Sequence, residues 1–195
     1  KTLQAMKGHL NLAWRLGILM SEWQAGGASK CHITYRGEVT QRNTKLLTSA
    51  FCAGLLEKAL EEEVNIVNAE VLLRERGIKL TEESRADMGA FSSSMTLEVT
   101  AGDTTHVAAG TLFGNNMPRL IRLDDYRLEA YIDGNLLVFT HSDVPGIIGA
   151  VGTIFGKHRV NIAQMTVGRA APGGNAVGVL NLDSVPPKEA IDEVL

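Results

Sequence analysis

Residues 141–161, HSDVPGIIGAVGTIFGKHRVN, contain a passage from a strand through a turn into a helix. The segment Leu136–His141 is rich in β-branched and aromatic residues and predicts a buried strand. Ser142, Asp143, Pro145 and Gly146 place four turn or cap residues within five positions, so the strand ends there. Asp143 is predicted to be the N-cap of the helix, and Pro145 lies where a missing N–H has no cost.

Two faces of the predicted helix differ in composition. The apolar face that is predicted to be buried contains Ile147, Ile148, Val151, Ile154 and Phe155. The other face contains Gly149, Gly152 and Gly156. Because a glycine in a solvated helix costs about 1 kcal/mol relative to alanine, the three glycines favour close approach of a neighbouring element or subunit. Tolerated sequence drift is the alternative.

The composition is that of an ordinary globular protein. The 195 residues, 45% hydrophobic and 21% charged, are enough for one large domain or two small ones. A net charge of −3 without a basic cluster argues against nucleic acid as the main partner. No apolar run approaches the roughly 20 residues that span a bilayer and no leader peptide is visible, so we predict a cytoplasmic protein without a membrane partner. Cys31 and Cys52 lack CxxC spacing and are predicted to be reduced, half-buried thiols.

The first part of the chain predicts a small antiparallel sheet covered by helices. The sequence begins with Lys1, without a methionine, inside a helical pattern. Residues 1–23 are therefore interpreted as a lead-in helix from a preceding region. A domain over residues 24–130 is predicted next. Its elements are a strand at 30–39, helices at 43–63 and 68–76, the second ended by Gly77, an extended segment from Gly77, a charged connection at 82–87, and strands at 93–100, 106–113 and 119–123.

The last part predicts a second domain over residues 135–195, after a linker at 124–134. Its elements are strands at 136–141, 160–168 and 175–182 with a helix at 146–157 and another that opens at Ser184. This β-α-β-β-α order is one strand short of the ferredoxin-like unit, so the last strand is predicted to be missing. The predicted fold class is therefore α+β.

The second domain resembles an ACT domain, and more particularly the one at the C-terminus of D-3-phosphoglycerate dehydrogenases. The motifs that support the resemblance are D-V-P-G-I-I-G at 143–149, V-N-I-A-Q-M at 160–165, G-R at 168–169 and G-G-N-A at 173–176. The upstream domain is similar to the intervening, or allosteric-substrate-binding, domain of these enzymes through R-G-E at 36–38, V-N-I-V-N-A at 64–69, E-R-G-I at 75–78, G-T at 110–111 and P-R at 118–119.

The resemblance implies a regulatory region that binds L-serine and forms a homo-oligomer through its ACT domain. The effector residues implied are His141, Asp143 and Asn161, between the strand–helix turn of one subunit and its neighbour. Asp143 suits an α-ammonium group, and Asn161 offers both a donor and an acceptor. Val144 departs from the family, which usually has arginine there. The parent enzyme implied is an NAD-dependent oxidoreductase, but no G-x-G-x-x-G follows a strand, so we expect no cofactor and no catalytic site in this chain.

Several alternatives remain open at the level of sequence. From the residues alone, Asp143 and Asn161 fit a cap and a turn residue, and His141 a satisfied strand histidine. Arg119 and Arg122 are a candidate anion site or a solvated basic pair, since residues three apart in a strand point to opposite faces. The five histidines are scattered, so no metal site is predicted. The rival functions are the β portion of an iron–sulfur L-serine dehydratase and an oligomerisation module without a ligand.

Overall fold

The protein divides into two compact units, Lys1–Asp124 (unit 1) and Asp125–Leu195 (unit 2). The structure is a computed structural model and describes residues 2–60, 63–114 and 116–195. Helices and strands occur in both units, and the predicted α+β class is confirmed. No helix within these ranges is long and apolar enough to cross a membrane.

Unit 1 contains five paired strands together with its helices. Its elements are α1 (Thr2–Trp23), β1 (Lys30–Gly37), a 3-10 helix (Glu38–Gln41), α2 (Thr44–Leu56), α3 (Ala69–Glu75), β2 (Lys79–Arg85), β3 (Ser93–Ala101), β4 (Thr104–Phe113) and β5 (Met117–Leu123). The strand order is β2-β1-β3-β4-β5. The β3–β4 and β4–β5 pairs are antiparallel, as predicted for the meander; β1 and β3 are also antiparallel, whereas β1 and β2 are parallel.

Residues 82–87 were predicted to form a charged connection, but most of them belong to strand β2, Lys79–Arg85. Residues Lys79–Arg85 pair in register with Lys30–Arg36, and most of their side chains are exposed or half-buried polar groups. A strand at the edge of a sheet tolerates charges that discourage pairing with another chain. The polar sequence that indicated a loop is therefore compatible with an edge strand.

Helix α2 is shorter than the predicted helix at residues 43–63. Asn43 is its N-cap and accepts from the backbone N–H of Leu46 at 3.4 Å, but the helix ends at Leu56. Residues 57–59 are exposed, so another helical turn would add nothing to the core. Of the other predicted positions, 61 and 62 lie outside the described residues.

The core of unit 1 lies between the sheet and the pair α1 and α2. Its largest fully buried side chains are Met6, Leu12, Leu16, Met20, Ile33, Tyr35, Leu47, Phe51, Leu73, Met95 and Leu97. Cys31 and Cys52 are 1% and 2% exposed, so the prediction of half-buried thiols is wrong. Burial raises the pKa of both thiols to about 12, which keeps them protonated and unreactive.

Asp124 closes unit 1 with a set of hydrogen bonds at the end of β5. Its Oδ2 accepts from Trp23 Nε1 at 2.8 Å and lies 2.9 Å from His106 Nδ1, and its Oδ1 accepts from the backbone N–H of Val107 at 2.9 Å. Burial raises the pKa of Asp124, but the hydrogen bonds from Trp23, Val107 and His106 outweigh it, so the pKa lies below its ordinary value.

Asp124→Asn is expected to lower the free energy of unfolding of unit 1 by about 1–3 kcal/mol at neutral pH, because it removes a charged acceptor. Asparagine tolerates the left-handed backbone of this position, φ 49°. Since the folded pKa of Asp124 is lowered, its contribution is present above the unfolded pKa, near pH 4, and is lost as pH falls through the folded value.

Urea unfolding followed by tryptophan fluorescence tests this expectation, because both tryptophans, Trp14 and Trp23, lie in unit 1. The difference between wild type and Asp124→Asn should shrink as the pH falls below about 4. Asp103→Asn, in an exposed turn, is the matched control. A difference independent of pH would contradict the assignment of the stabilisation to the charged form.

Unit 2 contains four antiparallel strands and two helices. Its elements are β6 (Tyr126–Tyr131), β7 (Asn135–Ser142), α4 (Ile147–Lys157), β8 (Ile162–Arg169), β9 (Asn175–Leu182) and α5 (Lys188–Val194). The strand order is β6-β8-β9-β7. The elements from β7 to α5 form the predicted ferredoxin-like βαββα order. The predicted linker at 124–134 contains strand β6, and Ala130 and Ile132 within it are buried.

The core of unit 2 lies between α4, α5 and one face of the sheet. Phe155 is fully buried at its centre with Val151, Val160, Leu180, Leu182 and Ala190. Strand β7 is half-buried rather than buried as predicted. On the opposite face of α4, a Cβ atom added at Gly149, Gly152 or Gly156 would meet nothing within 4 Å. No neighbour within the described chain explains these glycines.

Candidate effector site

The turn between β7 and α4 differs from the predicted capping arrangement. The N-cap of α4 is Gly146, in the left-handed conformation at φ 96°, and not Asp143. A side chain is strained at such a φ, which explains the glycine. Asp143 instead accepts two hydrogen bonds at its Oδ2 atom, from Arg169 Nη1 and from the backbone N–H of Gly173, both at 3.0 Å. It therefore ties the β7–α4 turn to the β8–β9 hairpin.

Asp143 is an anion held in a fixed position. The hydrogen bond from Gly173 and the pairing with Arg169 hold the pKa of the Asp143 carboxyl below its usual range. Its side chain is 23% exposed, and within the described residues these hydrogen bonds reach only Oδ2. The Oδ1 atom can therefore accept from a cationic ligand group such as an ammonium.

His141 presents an acceptor atom that lacks a partner. Its Nδ1 lies 2.8 Å from the carbonyl oxygen of Ser142, a distance that assigns the proton to Nδ1. In this tautomer the Nε2 atom is an acceptor, and it is buried without a hydrogen-bond partner among the described residues. Because buried polar atoms are nearly always paired in native structures, Nε2 is suited to a ligand donor.

The strand register brings His141 and Arg169 to one place. His141 in β7 and Arg169 in β8 both pair with Ala176 in the central strand β9. Directly paired residues point to the same face of a sheet, so both side chains flank Ala176. His141, Asp143 and Arg169 therefore gather at the start of β9.

Asn161 lies at the other end of the same strand. It precedes β8, whose first residue Ile162 pairs with Leu182, and its Nδ2 donates to Asp183 Oδ2 at 2.7 Å. The six steps along β9 from Ala176 to Leu182 correspond to about 20 Å. The structure thus brings together two of the three predicted effector residues and separates the third within a single chain.

Arg119 and Arg122 point to the same face of the sheet, which corrects the expectation that they point to opposite faces. A bulge skips Ile121, so Arg119 pairs with Thr111 and Arg122 with Ala109. Thr111 and Ala109 are two residues apart in β4, so both arginines point to the same face and not to opposite ones.

Each of the two arginines also has a structural contact. Arg119 donates from Nη1 to the carbonyl oxygen of Pro118 at 3.0 Å, and its guanidinium lies 5.3 Å from the centre of the Phe113 ring. Arg122 donates from Nε to the carbonyl oxygen of Asp124 at 2.7 Å. The anion site at these residues stays a prediction.

Arg169 is the site residue that sequence reasoning missed. It appeared only as part of a G-R motif, 26 residues after Asp143. Neither periodicity nor spacing connects the two residues, because their contact depends on the register of β7 and β8 against β9. An alignment of β7 and β8 against β9, with His141 and Arg169 both opposite Ala176, would have indicated the contact.

A motif typical of dinucleotide binding is absent from the sequence. The sequence contains no G-x-G-x-x-G, the motif whose glycines allow close approach of a pyrophosphate to a helix N-terminus. Among the residues that the structure describes, no group of three or more His, Cys, Asp or Glu side chains could hold a metal ion.

Comparison with known proteins identifies both units. The family described as the D-3-phosphoglycerate dehydrogenase intervening domain matches residues 5–124, and the ACT domain family matches residues 135–195. D-3-phosphoglycerate dehydrogenase of Archaeoglobus fulgidus is 34% identical over 191 residues, which are 97% of this chain and 36% of the relative. The enzymes of the same name in Synechocystis sp. and Bacillus subtilis are 33% and 29% identical over 98% and 91% of this chain.

The chain spans 36% or less of the length of these three relatives, and it matches their C-terminal part. The match over both units favours the dehydrogenase class over the dehydratase class that the sequence left open. The intervening-domain family alone covers more than half of the chain. The chain belongs to the D-3-phosphoglycerate dehydrogenase family, as an intervening domain followed by an ACT domain.

Proposed function

We propose that this chain is the regulatory region of a D-3-phosphoglycerate dehydrogenase and binds L-serine at an interface between two ACT domains. The observation that supports the proposal is the buried, unpartnered Nε2 atom of His141 at the same turn as the anionic Asp143. L-Serine has a hydroxyl that can donate to Nε2 and an ammonium that can bind Asp143. The oxidation of 3-phosphoglycerate with NAD belongs to a part of the enzyme that this sequence does not include.

A two-fold dimer through α4 would complete the site. Helix α4 has 11 residues, a length of about 16 Å, with Asp143 before its start and Asn161 after its end. When two such helices pack antiparallel about a two-fold axis, the end of each lies beside the start of the other. Asn161 of the partner subunit would then approach His141 and Asp143, which compensates for their separation within one chain.

The glycine face of α4 supports this arrangement. Gly149, Gly152 and Gly156 leave open space on the surface of the helix, and Ile148 nearby is 46% exposed. Small residues allow two helix backbones to approach closely, and exposed apolar side chains gain from burial. The dimer thus accounts for three glycines at which an added Cβ atom would meet nothing within the described chain.

Feedback follows from a coupling free energy between the effector site and the active site. A ligand that binds at a subunit interface favours one arrangement of the subunits, and the distant active site is less competent in that arrangement. A coupling of about 1–3 kcal/mol is typical of such systems.

Titration calorimetry of this chain with L-serine, D-serine and glycine tests the proposal. L-Serine should release heat and, at a hundredfold excess over Kd, should add about 2.7 kcal/mol to the free energy of unfolding. Glycine lacks the hydroxyl for His141 and D-serine places it differently, so both should bind more weakly. The absence of L-serine binding would replace the proposal with an oligomerisation module that has no ligand.

A further inference from the structure

Arg169 occupies a position that the proposed effector would reach. It is the last residue of β8, and its side chain is 55% exposed. Its guanidinium contacts the same carboxylate of Asp143 that would receive the ammonium of L-serine. Any ligand seated on Asp143 therefore lies beside a fixed cation.

The guanidinium of Arg169 has N–H donors that Asp143 does not use. Arginine has five N–H donors, and Asp143 takes one of them, from Nη1. Within the described part of the chain, no other hydrogen bond from this guanidinium is present. Guanidinium groups match carboxylates in geometry and bind them through paired N–H donors, which is an advantage over a lysine ammonium.

A neighbouring cation suits the charge of an α-amino acid. The ammonium and the carboxylate of the ligand are attached to the same carbon atom, so an isolated Asp143 that attracts the ammonium would also repel the carboxylate. Val144, which is 50% exposed in the same loop, is uncharged and cannot offset this repulsion. Arg169 offsets it from the neighbouring hairpin.

We propose that Arg169 binds the α-carboxylate of the effector while Asp143 binds its ammonium. The inference rests on the proposed function. It adds a residue that determines specificity: an amine without the carboxylate, or a 2-hydroxy acid without the ammonium, leaves one member of the Asp143–Arg169 pair without its ligand partner.

Titration calorimetry with L-serine and with L-serinamide, which keeps the ammonium and hydroxyl but has no carboxylate, tests this role. The variants are Arg169→Gln, Arg169→Lys and the control Arg85→Gln, which breaks an exposed arginine–carboxylate pair with Glu83 in unit 1. Wild type and Arg85→Gln should prefer L-serine to L-serinamide by about tenfold or more. In Arg169→Gln this preference should fall to within about twofold, and Arg169→Lys should retain part of it.

Comparison of L-serine with L-serinamide distinguishes two roles of Arg169, binding of the ligand carboxylate and positioning of Asp143. If Arg169 only positioned Asp143, the glutamine variant would bind both ligands more weakly and keep the preference of the wild type, which would overturn the inference while the proposed function stood. If the wild type bound neither ligand, the proposed function would fail and the inference with it.

Discussion

Replacing Gly54 by alanine is expected to lower the free energy of unfolding of unit 1 by about 3 kcal/mol or more. Helices α1 and α2 contact each other through their backbones at Gly17 and Gly54. A Cβ atom at Gly54 would collide with the carbonyl oxygen of Trp14 and would lie 3.0 Å from the backbone nitrogen of Ile18. Because these neighbours are backbone atoms, only a separation of the two helices can relieve the collision.

Separation of α1 from α2 would loosen the core of unit 1. Leu16 and Phe51 are almost completely buried on these two helices, and their contacts weaken steeply as the helices move apart. The gain in helix propensity from glycine to alanine is only about 1 kcal/mol and is outweighed.

Urea unfolding followed by tryptophan fluorescence measures this change in unit 1. The control is Gly27→Ala, since a Cβ atom at Gly27 would meet nothing within 4 Å and its φ is not in the left-handed region. A loss below about 0.5 kcal/mol for Gly54→Ala would show that the helices are not in backbone contact.

Asp143→Ala and Asn161→Ala are each expected to weaken the binding of L-serine by about a hundredfold or more. Asp143 would lose its charge-assisted contact with the ammonium, and Asn161 its hydrogen bonds from the partner subunit. The fold should persist, because Asn161 is exposed, Asp143 lies in a turn and neither side chain fills core volume.

Calorimetry and thermal unfolding of the two variants check this expectation. Asp192→Ala, an exposed aspartate of α5, is the control for the loss of a carboxylate in the same unit. Unchanged L-serine binding by Asp143→Ala would remove the residue from the site. A collapse of the thermal transition in the absence of ligand would instead assign it a structural role through Arg169 and Gly173.

The sequence predicts the elements of unit 2 well where alternation and turn residues coincide. Strand β9 has the predicted bounds, Asn175–Leu182, because the Pro172–Gly174 turn precedes a strand that is buried on both faces. Strand β2 was predicted only as the start of an extended segment at Gly77, because most of its side chains are polar or exposed. Strand β6 was missed although its side chains alternate between half-buried or buried and exposed, a pattern typical of a strand, because the segment was assigned to a linker.

Only part of the candidate site could be predicted from the sequence. His141 and Asp143 are close in sequence and their proximity was predictable. The approach of Arg169 to Asp143 and the distance of Asn161 from both depend on the register of β8 against β9. The shared face of Arg119 and Arg122 depends on a bulge of one residue, Ile121. The periodicity of one segment does not by itself fix its register against a distant segment or the position of a one-residue bulge, because both arise from pairing between the two segments.

Mixing the Asp143→Ala and Asn161→Ala chains tests directly whether the effector site is shared between two subunits. Each variant alone has two damaged sites per dimer, whereas a heterodimer has one site with both substitutions and one intact site. After the mixture is unfolded and refolded together, calorimetry should recover L-serine binding with wild-type affinity at about a quarter of the wild-type number of sites. If the mixture binds no more L-serine than the separate variants, the site lies within one chain and the proposed interface is wrong.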